Sequence, residues 1–543
     1  MYYNIPSAKL KCRHCGSEIS PKDYDENNNA EEQKDYDVTI YTCRNCGAQL
    51  ESPDDSIVSY CPYCGSEQVL EGRMGKSLRP ASILPFSISK TKCKNQYMKS
   101  LSKLRYLPDE FKDPKYLDQF RGIYIPYWKY DVDMNGMTPL QIETRTTHGD
   151  RTTVRTYEGS AVPSKDPYSI EVDASSTFDD SIANHIAPFD DNDSVEFNTG
   201  YLAGFYADRP NVDPHLYDET VIDQSYKKYS SEIINSVNGS VFGADTGSVR
   251  QSTSATINKC EEHLLPVWFL TWKKKNRVAY SVMNGVTGEM MSDLPVNTGK
   301  YFGATLLVAA VLFAIFSLLI SVTAPTALIF SVMITLIVMY LFYREMLQIR
   351  DRENHVFDIA YEGPSDDAMS ADEKEKIRSK AARKNKIKKK NGRKPNAMGW
   401  GIMIYSIIII IFSIASSLST SGLFSGSYGG STGQVRNIGL ILVSSIAAVL
   451  ALIILIRSLM LLKYVTEKKQ LMTTILPFAA IALSFAVAIS QTIEDYYFYI
   501  ASVACLLAAV VISIALIKCY NILVTRPMPN FFDREGGKND AED

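Results

Sequence analysis

Six apolar runs, all after residue 300, constrain this chain more than any other feature. They are Tyr301–Val322, Thr326–Phe342, Gly399–Leu418, Ile438–Met460, Thr473–Ser490 and Tyr497–Ile517. Each holds about 17–23 residues, enough to cross a hydrocarbon core of roughly 30 Å as a helix, so a wholly soluble protein is excluded. The second run is the weakest, because Pro325 and a short loop precede it; its alternative is a re-entrant pair with the first. Charge placement orients the spans. Between the second and third, Lys374 to Lys394 carry twelve Lys and Arg against Glu375 alone. Lys463, Lys468 and Lys469 mark the next inner loop, whereas Ser419–Asn437 and Gln491–Tyr496 are poor in basic residues. The basic loops therefore face the cytoplasm, which puts both chain ends there too. Within the spans Arg457 is the one residue among Asp, Glu, Lys, Arg and His, about one turn from the inner end where it can snorkel, so a conduction path has no support in the span centres. Ser406 through Ser421 is Ser-rich, a composition that permits close helix packing.

The first 300 residues are polar, and their cysteines carry the clearest chemistry. Six of the ten cysteines of the chain form three knuckles: Cys12-Arg-His-Cys15-Gly, Cys43-Arg-Asn-Cys46-Gly and Cys61-Pro-Tyr-Cys64-Gly. A two-residue gap lets both thiolates reach one metal, and the following glycine supplies the positive φ that closes the turn. Tetrahedral Zn²⁺ takes four ligands, so knuckles work in pairs. Cys43, Cys46, Cys61 and Cys64 have the spacing of a zinc ribbon, which predicts one structural zinc. A closed four-thiolate site leaves no position for water or substrate. Disulfides need an oxidising compartment, and Met1-Tyr2-Tyr3-Asn4 begins no basic and apolar leader. Cys12 and Cys15 lack a local partner, since Ser17 to Tyr41 contains no cysteine. Three readings stand: a decayed first ribbon, which is the simplest; a zinc shared with another chain; or recruitment of His14. Residues 1–75 hold seven basic against thirteen acidic side chains, and the whole chain has a net charge of −3. Phosphate binding needs a positive face, so nucleic acid is not the expected partner of the ribbon.

Residues 76–300 read as a mainly β domain. Ser89 is the expected cap of a helix running to about Tyr106, with Tyr97, Leu101 and Leu104 on one face. Pro108 ends it, and a second short helix is expected over Asp109–Phe120. The period then changes to two at Gly122–Asp133, Gln141–Thr147, Thr152–Tyr157 and Tyr168–Val172. A polar helix is expected near Asp218–Val237. Leu265–Trp272 and Arg277–Met283 read as a hairpin around Lys273–Asn276. Ile125-Pro-Tyr-Trp128 and Leu265-Pro-Val-Trp268 echo each other, and Pro at a strand start suggests two equivalent edge strands.

No catalytic constellation emerges. His148, His185, His215 and His263 are scattered, and isolated histidines are usually surface or satisfied core residues. Asp190-Asp-Asn-Asp193 lacks the glycine and glutamate of a calcium loop. There is no nucleophile elbow, phosphate loop or dinucleotide fingerprint. The aromatic run Tyr124, Tyr127, Trp128 and Tyr130 is expected to divide between core and sheet surface. An enzyme is the reading with least support.

These residues together resemble an uncharacterised group of bacterial membrane proteins, the TFIIB-type zinc-ribbon-containing proteins. The resemblance rests on Tyr60-Cys-Pro-Tyr-Cys-Gly65, Arg79-Pro-Ala-Ser-Ile-Leu-Pro-Phe-Ser-Ile88, Gly122-Ile-Tyr-Ile-Pro-Tyr-Trp128, and the block from Leu265–Trp268 to Asn284–Gly288. It covers roughly the first 300 residues. It departs at the N-terminus, where half of a first ribbon is missing. It implies an architecture and no activity.

The expected organisation is therefore multidomain. A zinc-ribbon region covers 1–75 and a mainly β (α+β) cytoplasmic domain 76–300. A transmembrane hairpin follows at 301–345, a basic loop at 346–398, a four-helix transmembrane region at 399–522 and a polar tail at 523–543. The expected setting is the bacterial cytoplasmic membrane, crossed six times. Lys384, Lys386, Lys388, Lys389 and Lys390 are candidates for anionic lipid head groups, at about 1 kcal/mol per basic residue near the surface; topology determination alone is the simpler role. The expected function is a membrane-anchored scaffold or adaptor for a protein partner. A transporter or channel with a cytoplasmic regulatory domain, and a membrane-tethered nucleic-acid binder, are the alternatives. An oligomer is compatible with all three.

Overall fold

The computed structural model describes residues 1–27, 35–53, 60–67, 71–148, 151–165, 167–176, 180–186, 189, 193–237, 239–319, 323–358, 369–390, 432–465, 468–490 and 494–531. The chain starts with a small antiparallel sheet of β1 (Tyr2–Asn4), β2 (Lys9–Lys11) and β3 (Glu18–Ile19). Tyr3 and Leu10 point from it into the main core. Next come β4 (Asp35–Thr42), β5 (Gln49–Ser52), β6 (Glu71–Leu78) and β7 (Ser82–Ile83). The helix Lys90–Leu101 separates them from the long strand β8 (Arg121–Gly136). A hairpin of β9 (Thr138–His148) and β10 (Arg151–Ala161) follows, then β11 (Tyr168–Asp173), β12 (Val195–Glu196), β13 (Tyr206–Ala207) and β14 (Ser240–Phe242). The 22-residue β15 (Thr253–Lys274), β16 (Arg277–Asn284) and β17 (Met290–Ser292) close the soluble part.

The axis of the molecule is the antiparallel pair β8 and β15, in register from Arg121↔Phe269 to Gly136↔Thr253 with one irregularity between Ile257 and Lys259. Alternation explains what each face does. Ile123, Ile125 and Tyr127 of β8 join Leu265, Val267 and Phe269 of β15 on one face, together with the cysteines of the ribbon. Tyr124, Leu264, Trp268, Leu270 and Trp272 pack on the other, around Phe86 and Phe205. Both faces are buried over 122–127 and 264–272, and there the strands are apolar nearly throughout, whereas 253–262 of β15 is largely polar and partly exposed. The sheet order is β12-β7-β15-β8-β13-β5-β4-β6, with β11 on β8 and β16 on β15. β9 lies between β10 and β14 in a separate sheet.

The two Pro-containing segments are not edge strands. They are the central pair of the sheet and lie against each other, Leu265 opposite Ile125. Each proline sits one residue beyond the end of the ladder on its other side, which stops at Tyr127↔Asp173 and at Val267↔Asn284. The missing N–H is therefore not needed there. Both carbonyls are used: Ala174 donates to Pro126 and Gly285 to Pro266. The aromatic run does not divide as expected either. Tyr124, Tyr127 and Tyr130 are all buried, and Trp128 donates to the Val212 carbonyl at 2.9 Å.

Ser89 caps its helix, accepting from the Lys92 N–H, but the helix stops at Leu101. Leu104 lies beyond it and is 46% exposed. The expected helix over Asp109–Phe120 is two short turns, Asp109–Lys112 and Pro114–Leu117. Asp113 divides them by capping the second, with its carboxylate accepting from Lys115 N–H at 2.9 Å. The polar helix covers Asp218–Ser236, and β15 and β16 form the expected hairpin, longer on the β15 side. His263 is a satisfied core histidine between Ser194 and Glu171, each at 3.1 Å. The Asp190–Asp193 run and the Ser-rich run are mostly or wholly outside the described residues.

Among the described residues four helices are long and apolar enough to cross a membrane: Ala324–Glu353, Leu440–Lys463, Lys468–Ser490 and Asp495–Val524. Six are therefore not supported at this level. The first apolar run forms the helix Thr298–Leu319 without being one of the four, and Gly399–Leu418 lies outside the described residues. The second run, the weakest by sequence, extends into a 30-residue helix. Leu328, Val332, Leu336 and Met339 of that helix pack with Ala501, Cys505, Ala508 and Ile512 of the last one. Small residues let such helices approach closely. The buried hydroxyl of Thr335 reaches the Cys505 carbonyl at 2.9 Å. Lys384, Lys386, Lys388, Lys389 and Lys390 fall on the helix Ala371–Lys390; their side chains lie outside the described residues.

The large sheet is fastened to the apolar helices. After the last helix the chain turns back as β18 (Arg526–Pro527) and pairs with the edge of β16. Arg277 of β16 donates to the carbonyls of Ile522 and Thr525 at 2.8 and 3.0 Å. A guanidinium there satisfies last-turn carbonyls that the helix leaves open and meets the negative end of its dipole. Asp293 receives both Arg352 and Arg526, at 2.7 and 2.9 Å.

Candidate metal centre

Each knuckle is a local object with the same internal bonds. The N–H of Cys43 donates to the Ala48 carbonyl and that of Gly47 to the Cys43 carbonyl. Cys61, Ser66 and Gly65 repeat the pattern, and so do Cys12, Ser17 and Gly16. Gly16, Gly47 and Gly65 have φ of 73°, 78° and 66°, the left-handed conformation that any side chain strains. The knuckle fold is thus written in five or six consecutive residues.

Pairing is a tertiary matter. The first knuckle of the centre is the turn between β4 and β5, and the second precedes β6. Antiparallel pairing of β4 with both β5 and β6 brings the two turns together. Cys43, Cys46, Cys61 and Cys64 are all buried, with their sulfurs within 4.8 Å of one another. Cys43 and Cys64 stand 3.7 Å apart, and Cys46 and Cys61 3.8 Å. A zinc–thiolate tetrahedron with bonds of about 2.3 Å has edges of about 3.8 Å. The donor set therefore fits Zn²⁺ in chemistry and in size. Hydrogen bonds among the crowded thiols push Cys46 and Cys61 up and pull Cys64 and Cys43 down, Cys43 to about 7. Four thiolates at this separation require a bound cation to coexist.

The surroundings hold the centre from three sides. Asn45, inside the first knuckle, donates to the Cys64 sulfur at 3.3 Å. The second knuckle rests on β15 and β16. Tyr60 donates to the Thr271 carbonyl and Tyr280 to the Tyr63 carbonyl, at 2.8 and 2.7 Å, and Thr271 donates to the Pro62 carbonyl. The tail beyond β18 then covers the first knuckle. Phe531 N–H donates to the Cys46 carbonyl at 2.6 Å, its ring meets Tyr63 edge-on at 6.1 Å, and Met528 sulfur accepts from Asn45 at 3.2 Å. Spacing alone finds the four cysteines. It has no means of finding Thr271, Tyr280 or Phe531, which come from far along the chain. Asn45 alone carried a usable signal, as an amide donor inside a knuckle.

Cys12 and Cys15 are not part of this cluster. Cys12 is half-buried and Cys15 exposed, and Cys15 pairs with the Ser17 hydroxyl at 3.0 Å.

Beyond the centre, a buried acidic group lies on the same sheet. Glu51, 3% exposed, is paired with Arg209 at 2.7 Å. Burial pushes the nearby Glu262 carboxyl up to about 8. Burial likewise raises Asp208 to about 6, although Ser175 donates to it at 2.7 Å.

No protein-family model matches the chain, and no solved structure does. Among curated proteins the chain is similar to the uncharacterised protein YdjG of Bacillus subtilis (strain 168), with 27% identity over 241 residues, 43% of this chain and 68% of that protein.

Proposed function

We propose that this chain is a membrane-anchored scaffold or adaptor, in which a TFIIB-type zinc ribbon braces a β module that engages a protein partner at the cytoplasmic face of a bacterial membrane. The observation that carries this reading is the double fastening of the metal centre. One knuckle is bonded to β15 and β16, and the other is covered by the tail of the last membrane helix. A closed four-thiolate centre so placed sets architecture and offers no coordination site for a substrate.

Six crossings, with both ends of the chain in the cytoplasm, belong to the same proposal. Val296, just before the first membrane helix, and Asn521, near the end of the last, exchange two hydrogen bonds of 2.9 and 3.0 Å. This proximity supports chain entry and exit at one membrane face, an arrangement that takes an even number of spans. The four helices together with Thr298–Leu319 make five, and the proposal takes the apolar run Gly399–Leu418, known from sequence alone, as the sixth. Reduced thiols and the basic 374–394 segment favour the cytoplasm for that face.

The test is site-specific photo-crosslinking in cells from Val154 and Tyr157, both about half exposed on β10. The scaffold reading expects one discrete protein adduct that disappears when Cys61→Ser removes the ribbon. Absence of any adduct, together with solute flux in proteoliposomes of the purified chain, would replace it with a transporter.

A further inference from the structure

The N-terminal knuckle has everything a metal-binding knuckle needs except its second half. Its backbone bonds and its Gly16 conformation match those of the two knuckles that form the buried centre. It does not depend on metal to fold, because the small sheet that bears it is held by other means. Leu10 is fully buried and Tyr3 nearly so, and Tyr3 N–H donates to the Ala203 carbonyl at 2.8 Å. The metal-binding end then faces outward: Arg13, His14, Cys15 and Gly16 are all exposed. Two thiols arranged for one ion, at the surface, are half of a tetrahedral site.

We propose that Cys12 and Cys15 form half of a second zinc centre, completed by Cys12 and Cys15 of a second copy of this chain. A two-fold axis through the ion gives four thiolates from two identical halves, the symmetry expected of a closed dimer. Charge is consistent with this occupant. Four thiolates around Zn²⁺ leave a net charge of −2, and the strand and knuckle supply Lys9, Lys11 and Arg13 against Glu18. Arg13 lies over the Tyr2 ring at 5.7 Å, and Lys11 meets Glu18 at 3.5 Å. Two copies therefore bring compensating positive charge to the centre, whereas the buried centre has only Arg44 within its knuckles. Anchorage in one bilayer further raises the local concentration of the second half.

The experiment is zinc content and particle mass of the full chain, purified in detergent under reducing conditions, for wild type and for Cys12→Ser/Cys15→Ser. The expected result is about 1.5 zinc per chain in a dimer, falling to about 1.0 in the variant. About 1.0 zinc in the wild type overturns the proposal and makes the knuckle a relic. About 2.0 zinc per chain in a monomer also overturns it, in favour of a site completed within one chain, with His14 as the nearest candidate. Cobalt titration of the wild type gives a second reading that needs no variant. Tetrathiolate charge-transfer intensity saturating at about 1.5 equivalents supports the shared centre, and saturation at 1.0 overturns it. The buried centre accounts for one equivalent in every arm, so failure here leaves the scaffold reading standing.

Discussion

Two parts of this chain use the same five-residue turn and come to opposite ends. Around Cys43 and Cys61 the knuckle is buried, paired and covered; around Cys12 it is exposed and alone. The difference owes nothing to the turn itself, since all three share their hydrogen bonds and left-handed glycine. It comes from the strands that flank each turn. β4 pairs with two neighbours and folds two turns onto one point, whereas β1–β3 bring one turn to the surface. A metal site is thus a tertiary event built from local parts.

Substitutions sharpen the comparison, beginning with the largest effect. Cys61→Ser should abolish zinc at the buried centre and unfold the ribbon, because metal-binding energy on the order of 10 kcal/mol is folding energy there. Trypsin should then cut between β4 and β6 in membranes where the wild type resists. Cys15→Ser, at an exposed position, should change the unfolding free energy of the zinc-free chain by no more than about 0.5 kcal/mol, its effect falling on the shared zinc and the dimer instead. Equal losses in the two variants would erase the distinction.

The junction with the membrane comes next. Asp293→Asn leaves Arg352 and Arg526 without their shared carboxylate, and loss of these charge-assisted hydrogen bonds between half-buried groups should cost roughly 1.5–3 kcal/mol. Hydrogen exchange at β18 should accelerate while that at β8 stays slow. Phe531→Ala removes a half-buried ring from Tyr63, for about 1–2 kcal/mol. Zinc should then be lost to a chelator several-fold faster, with the coordination shell unchanged.

The smallest effect is on pH dependence. Asp208 at about 6 and Glu262 at about 8 are raised from 3.8 and 4.5, so the folded module holds more protons than the unfolded chain between those values. The associated stability is complete below the lower values and is lost as pH rises through 6 and then 8. Thermal midpoints should fall from pH 5 to pH 8, and Glu262→Gln should flatten the upper part of that slope.

Much of this was legible in the sequence, for physical reasons that can be named. Cysteine spacing reports ligand geometry, so Cys43, Cys46, Cys61 and Cys64 stood out together. The period of two identified β8, the hairpin signal found only the second half of β15, from Leu265 on, and Asp218–Ser236 was legible as a helix. Pairing partners were not legible. Pro126 and Pro266 suggested edges, yet each occupies the gap where a neighbouring ladder ends, and only the folded sheet creates that gap. The covering of Cys46 by Phe531 links residues almost 500 positions apart, beyond any periodic signal. Leu104 fits a helical face by spacing but falls past a helix end set by local bonding at Ser102.

Zinc K-edge absorption of the full chain carrying Cys12→Ser/Cys15→Ser isolates the buried centre, because no other cysteine knuckle remains. The expected result is one zinc per chain with four sulfur neighbours at about 2.3 Å. A shell containing nitrogen or oxygen, or a folded chain with no zinc at all, would contradict it.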